Sequence, residues 1–132
     1  MLILEQDVQQ VANDVMNMLH EDEVELINNF HDAVIANDTE KIDELFNELV
    51  AEVEAHFRSE EDMMEVNGFG GYQIHKNDHD IIRKKLKKFH DRWKVLKSST
   101  EVKNFLEKDF KKLWTTHISR WDSEAAMQMG DS

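Results

Sequence analysis

Apolar residues recur every three or four positions along most of the chain, and three polar or glycine-rich breaks divide them into four stripes. The first runs through Val8, Val11, Val15, Met18/Leu19, Asp22, Leu26, Phe30 and Ala33/Val34, with one acid among the apolar positions. That spacing follows the 3.6-residue period of a helix with one face in a core. Asn37-Asp38-Thr39 ends this helix and can cap a second, whose stripe is Ile42, Leu45/Phe46, Leu49, Val53, Phe57 and Met63/Met64. Asn67-Gly68-Phe69-Gly70-Gly71 is the one concentrated breaker segment. A third helix carries Ile74, Ile81/Ile82, Leu86, Phe89 and Trp93/Val95/Leu96. Ser98 and Glu101 then stand at capping-box spacing and open a fourth, with Val102, Phe105/Leu106, Phe110, Leu113/Trp114 and Ile118 on its apolar face. Short loops between long amphipathic helices make neighbours antiparallel, so the pattern predicts an all-α, up-down-up-down four-helix bundle. Residues 1–132 form a single domain, in which 1–10 are an N-terminal segment and 123–132 a polar tail.

Composition agrees with this pattern and narrows the chemistry. A chain of 132 residues can bury one core but not two. Pro is absent and Gly limited to four, which suits helices. Without Cys there is neither a disulfide nor a thiolate metal site. Met1-Leu2-Ile3-Leu4 is interrupted at once by Glu5 and Asp7, so neither a signal-peptide core nor a membrane span is expected, and a cytoplasmic location follows. A net charge of -12 repels phosphate backbones and anionic lipid heads, which excludes nucleic acid and membrane as expected partners. The basic run Arg83-Lys84-Lys85-Leu86-Lys87-Lys88 spreads over an outer helix face at helical spacing and reads as solvated. A monomer is expected.

Seven histidines remain, and height along the bundle axis decides which can meet. Residues on antiparallel neighbours lie level when their sequence midpoint falls on the connecting turn. The midpoint of His20 and His56 is Asp38, in the first turn. The pairs His56/Glu60 and His75/His79 have theirs between Asn67 and Gly68, and His75/His79 with His117/Asp122 have theirs at Ser98. All seven side chains therefore share one level. His56/Glu60 and His75/His79 are each i,i+4, on one helix face. Asp122 follows His117 by five residues, about 140° around an ordinary helix, so a helix end or local unwinding near Trp121 is required. His31 and His90 miss the level by roughly 16 to 20 Å and receive no metal role.

Five imidazoles and two carboxylates cannot be buried unpaired at one level, since each group would cost several kcal/mol. Metal resolves this, and imidazole with carboxylate suits iron, zinc, copper or manganese. Seven ligands exceed what one small ion takes. Two ions bridged by Glu60, Asp122 and one solvent oxygen would use them all, with three His on one ion and two on the other. The five-coordinate ion would keep a vacancy for a small ligand.

His20 followed by Asn28, His56-Phe57 with Glu60-Glu61 and Met64, His75 with His79, and His117-Ile118 with Asp122 resemble the hemerythrin family over nearly the whole domain, especially its bacterial single-domain members. The resemblance implies two iron ions, one held by His75, His79 and His117 and the other by His20 and His56, bridged by Glu60, Asp122 and a solvent-derived oxo or hydroxo group. It further implies reversible dioxygen binding at the open iron, each iron giving one electron, for oxygen storage, delivery or sensing. Ile27, Phe57, Ile82, Leu113, Trp114 and Ile118 are the expected wall of the ligand pocket. Leu113 and Trp114 reverse the family's usual order before the fourth-helix histidine, which brings Trp114 close to the vacancy.

A His-rich, carboxylate-poor set supports high-valent iron less than a four-carboxylate site does, so carriage is preferred over catalysis. The other readings are a di-iron peroxidase or nitric-oxide-handling enzyme, and an iron or oxygen sensor acting through a redox or signalling partner. No acid beyond the ligand set stands out in the sequence to serve the enzyme. His56→Ala is expected to abolish or sharply reduce bound metal and His90→Ala to leave it unchanged, as read by metal content per chain.

Overall fold

The computed structural model describes residues 2–4, 14–66, 68 and 70–118. Val8 and Val11 of the first stripe, most of the N-terminal segment, Asp122 and the polar tail lie outside them. Among the described residues all regular structure is helical: α1 (Asp14–Ile35), α2 (Thr39–Val66), α3 (Tyr72–Leu96), and a fourth helix in three continuous pieces. These are α4 (Ser99–Asn104), a π-type stretch (Phe105–Phe110) and α5 (Lys111–His117). The predicted four-helix bundle is the observed fold.

Local chemistry accounts for each break. Asn37 takes the left-handed conformation (φ 54°), its N–H bonding the Val34 carbonyl at 3.1 Å while the Asp38 N–H reaches Ala33 at 3.1 Å. This pair of bonds is a Schellman ending. Asp38 then serves the next helix, accepting from the Lys41 N–H through its carboxylate and from Ile42 through its carbonyl. Gly68 supplies a positive φ of 63° in the second turn, where a side chain would be strained. In the third, Lys97 is left-handed and the Ser98 hydroxyl accepts from the Glu101 N–H at 3.3 Å. The Glu101 carboxylate turns to Arg92 on α3, pinning the two sides of the turn.

The core follows the expected stripes with corrections on α1 and α3. Ile27 and Phe30, Ile42, Phe46, Leu49 and Val53, Ile82 and Leu86, and Val102, Phe105, Leu106 and Phe110 are all buried. On α1, however, Met18 and Asp22 face solvent, and His20 and Glu23 take the inward positions. On α3, Ile74, Ile81, Val95 and Leu96 are exposed. Arg83 also departs from the expected solvated face: only 22% exposed, it binds Glu54, Glu61 and Asp80 and lies 5.3 Å from the Phe57 ring centroid. Lys84, Lys85, Lys87 and Lys88 are exposed as read.

The π-type stretch has a cause in the pattern. Val102, Leu106, Phe110, Trp114 and Ile118 are all buried at steps of four residues. Each such step overshoots a regular helix turn by about 40°, so the five side chains would fan over about 160° of an ordinary helix. A wider turn takes up the drift and keeps the row on the core.

Near the chain start, Leu2 and Ile3 are buried, and the Asn28 side chain clamps Ile3 by two bonds. Its Oδ1 accepts from the Ile3 N–H at 2.7 Å and its Nδ2 donates to the Ile3 carbonyl at 2.8 Å. Asn28→Ala strands both backbone groups and is expected to cost about 1–3 kcal/mol, measured by chemical denaturation, with faster amide exchange at Ile3.

Candidate metal centre

The helices bring six of the seven predicted groups to one level. His20 comes from α1, His56 and Glu60 from α2, His75 and His79 from α3 and His117 from the end of α5, and none is more than 2% exposed. Glu60 is fully buried among the imidazoles. Its oxygens lie 2.7 Å from His56 Nε2, 3.0 Å from His79 Nε2, 3.6 Å from His75 Nε2, 3.8 Å from His20 Nε2 and 3.9 Å from His117 Nε2. His117 Nε2 is also 3.1 Å from both His75 Nε2 and His79 Nε2. Two donor sets result, Glu60/His75/His79/His117 and His20/His56/Glu60, each with its ligand atoms within 4.8 Å of one another, and Glu60 belongs to both. Asp122 lies outside the described residues.

His31 and His90 stand elsewhere, as the height rule requires. His31 meets Glu107 at 3.2 Å, and His90 contacts Asn47 at 2.7 Å and the Phe46 ring.

Of the expected pocket wall, Phe57 stacks on His79 with ring centroids 4.0 Å apart and planes 6° from parallel. Trp114 stands edge-on to His20 at 6.0 Å. Ile27, Ile82 and Ile118 are buried in the same apolar core, while Leu113 is only partly buried against it.

Three acids that sequence reasoning missed sit behind the imidazoles. Glu23 lies against His56 Nδ1, Glu61 meets His79 Nδ1 at 2.8 Å, and Asp78 meets His117 Nδ1 at 2.5 Å. The expectation that no further acid stands near the site is therefore corrected. Glu23 was legible as the residue one turn beyond His20, had the α1 stripe been phased on His20 instead of Asp22. Glu61 and Asp78 adjoin ligand positions, where an ordinary solvent-facing acid looks the same in sequence.

These acids decide the tautomers. A carboxylate accepts, so in neutral imidazoles the outer Nδ1 of His56, His79 and His117 carries the hydrogen and the inner Nε2 an unshared pair. Inward-facing pairs then confront one another at 3.1 Å and confront Glu60 at 2.7 Å. Without a positive centre that arrangement is repulsive, and a metal cation relieves it, with the carboxylate behind each imidazole fixing its aim. The residues present thus fit metal. In the metal-free site a proton on His56 supplies positive charge in the same place. Burial alone would lower the His56 pKa, but Glu23 and Glu60 together raise it well above the ordinary value. Burial would likewise raise Glu60, yet His56, His117 and His20 hold it well below the usual carboxylate range. Behind His79, burial raises Glu61 but Arg83 and His79 more than offset it and leave its pKa lowered.

A four-helix bundle whose core sets two groups of imidazoles around one shared carboxylate is a helical protein built to take cations between its helices. The family profile described as "Hemerythrin HHE cation binding domain" matches residues 11–128, and the chain belongs to the hemerythrin family. It is 41% identical to "Bacteriohemerythrin" of Aquifex aeolicus (strain VF5) over 131 residues, covering 99% of this chain and 100% of the relative. The "Bacteriohemerythrin" of Stenotrophomonas maltophilia (strain R551-3) is 26% identical over 94% of this chain and 78% of its own length. That of Pseudomonas aeruginosa (strain LESB58) is 30% identical over 68% of this chain and 59% of its own. No solved structure gives a significant match.

Glu61→Gln keeps the shape behind His79 but can donate where the carboxylate accepts. Metal affinity is expected to fall about 10–100-fold, measured by equilibrium competition with a chelator.

Proposed function

We propose that this chain binds dioxygen reversibly at a pair of iron ions held between its four helices. One observation carries the reading: buried imidazoles from all four helices turn their inner nitrogens on Glu60, an arrangement that cations satisfy. In this reading His75, His79 and His117 hold one iron and His20 and His56 the other. Glu60, which belongs to both donor sets, would serve both ions, with Asp122 and a solvent-derived oxo or hydroxo group as the other shared ligands.

Iron held there would supply the reversible redox chemistry that dioxygen binding needs. The chain's own part is to orient the imidazoles and exclude water. Phe57 and Trp114 cover His79 and His20, and Ile27, Ile82, Leu113 and Ile118 complete an apolar surround that keeps free protons away. Storage, delivery and sensing all use this chemistry, the last with a redox or signalling partner. We place the protein in the cytoplasm as a monomer; among the described residues no helix is long and apolar enough to cross a membrane.

A second reading, reduction of peroxide or nitric oxide, is favoured by the carboxyl groups of Glu23, Glu61 and Asp78 behind the imidazoles. Iron-loaded protein, reduced without air, is expected to be colourless, to gain a visible absorption band when oxygen is admitted, and to lose it under inert gas. Irreversible bleaching with peroxide turnover would establish the second reading in place of the first. One zinc per chain would defeat both.

A further inference from the structure

Glu23 is fully buried, one helical turn beyond His20, and its two oxygens face two different helices across the bundle. Oε1 accepts from the Trp114 indole N–H at 3.1 Å, and Oε2 lies against His56 Nδ1. Trp114 in turn stands edge-on to His20, whose ring centroid is 5.3 Å from that of His56. One acid and one indole thus link α1, α2 and the fourth helix around His20 and His56, the imidazoles of the smaller donor set.

We propose that Glu23 and Trp114 form a positioning pair for the two-histidine half of the centre. Glu23 holds His56 in the tautomer that turns an unshared pair inward from Nε2, and Trp114 fixes Glu23 while bracing His20. The assignment rests on the metal-centre reading above.

Three observations carry it. Glu23 meets the outer nitrogen of His56, whereas Glu60 meets the inner one, so the two acids divide the ring between them. A buried indole N–H needs an acceptor, and Glu23 supplies it, which gives Trp114 a place beside His20 in spite of its size. The three-histidine half has its own acids in the same relation, Glu61 behind His79 and Asp78 behind His117. Glu23 extends that construction to the other half and is alone among the three in being fully buried and tied to a tryptophan.

Glu23→Gln tests the pair with little change of shape. Its amide oxygen can still accept from Trp114, but its NH2 then donates to His56 Nδ1 and moves the imidazole hydrogen to Nε2. In the metal-free chain, at a pH high enough to hold His56 neutral, imidazole-nitrogen NMR is expected to show His56 switching from Nδ1–H to Nε2–H. In an anaerobic titration with iron(II) alone, the first equivalent per chain should bind as in the parent and the second about 10–100-fold more weakly. Trp114→Phe, which keeps a ring beside His20 and removes only the donor, should weaken the second equivalent by a smaller factor; it carries the test if Glu23→Gln does not fold. An unchanged second equivalent in the variant that folds would overturn the proposal. So would equal weakening of both equivalents together with a lower melting temperature, which marks a purely structural role. Weakened binding with an unaltered His56 tautomer and rescue by Glu23→Asp would make Glu23 a direct ligand instead. If the parent itself takes up no iron, the dioxygen reading fails, and the NMR comparison still decides whether Glu23 sets the His56 tautomer.

Discussion

Glu60 is a carboxylate with no exposed surface, surrounded by five imidazoles drawn from four helices. Burying such a group demands compensation on every side. The helices must be level to within a turn for those imidazoles to arrive together. That requirement governs the short connections at Asn37-Asp38, Gly68 and Lys97-Ser98, each fixed by a backbone conformation or cap that leaves little room for slippage. It also accounts for a core divided along its length. One level is polar and built around Glu60. Another is aromatic, where Phe30, Phe46 and His90 adjoin and Phe89 stacks on Phe105.

Around the inner set lies a layer of acids that aim the rings. Glu23, Glu61 and Asp78 take the outer nitrogens of His56, His79 and His117, so the inner ones face the shared carboxylate. Arg83 steadies this layer. It reaches Glu61 at 2.7 Å and Glu54 at 2.8 Å and lies over the Phe57 ring, which itself stacks on His79. A residue on a basic, outward-reading stretch of α3 is thereby one side chain removed from the centre. The layer supports metal binding of the kind the hemerythrin family description names.

Much of this was legible in the sequence, for a definite reason. Helical period, breaker residues and loop length are local properties, and with a rise of about 1.5 Å per residue they convert into height along an axis. Height alone selected His20, His56, Glu60, His75, His79, His117 and Asp122 and rejected His31 and His90, and the observed distances to Glu60 agree for each of the five selected histidines. The four-residue repeat from Val102 to Ile118 was equally visible. Its consequence, a π-type turn, depends on whether the helix must keep all five side chains on one core, which is a tertiary demand.

Rotation and side-chain direction were left to the tertiary structure. A small error in phase around α1 exchanges Asp22 for Glu23, because neighbouring residues point about 100° apart while their heights are almost equal. Which acid turns to which imidazole nitrogen depends on residues distant in sequence, as with Glu23 and Trp114 or Asp78 and His117. The chain by itself therefore determined which groups share a cross-section of the bundle, since that follows from counting residues. Only the folded arrangement decided how those groups face one another, since that follows from contacts between helices.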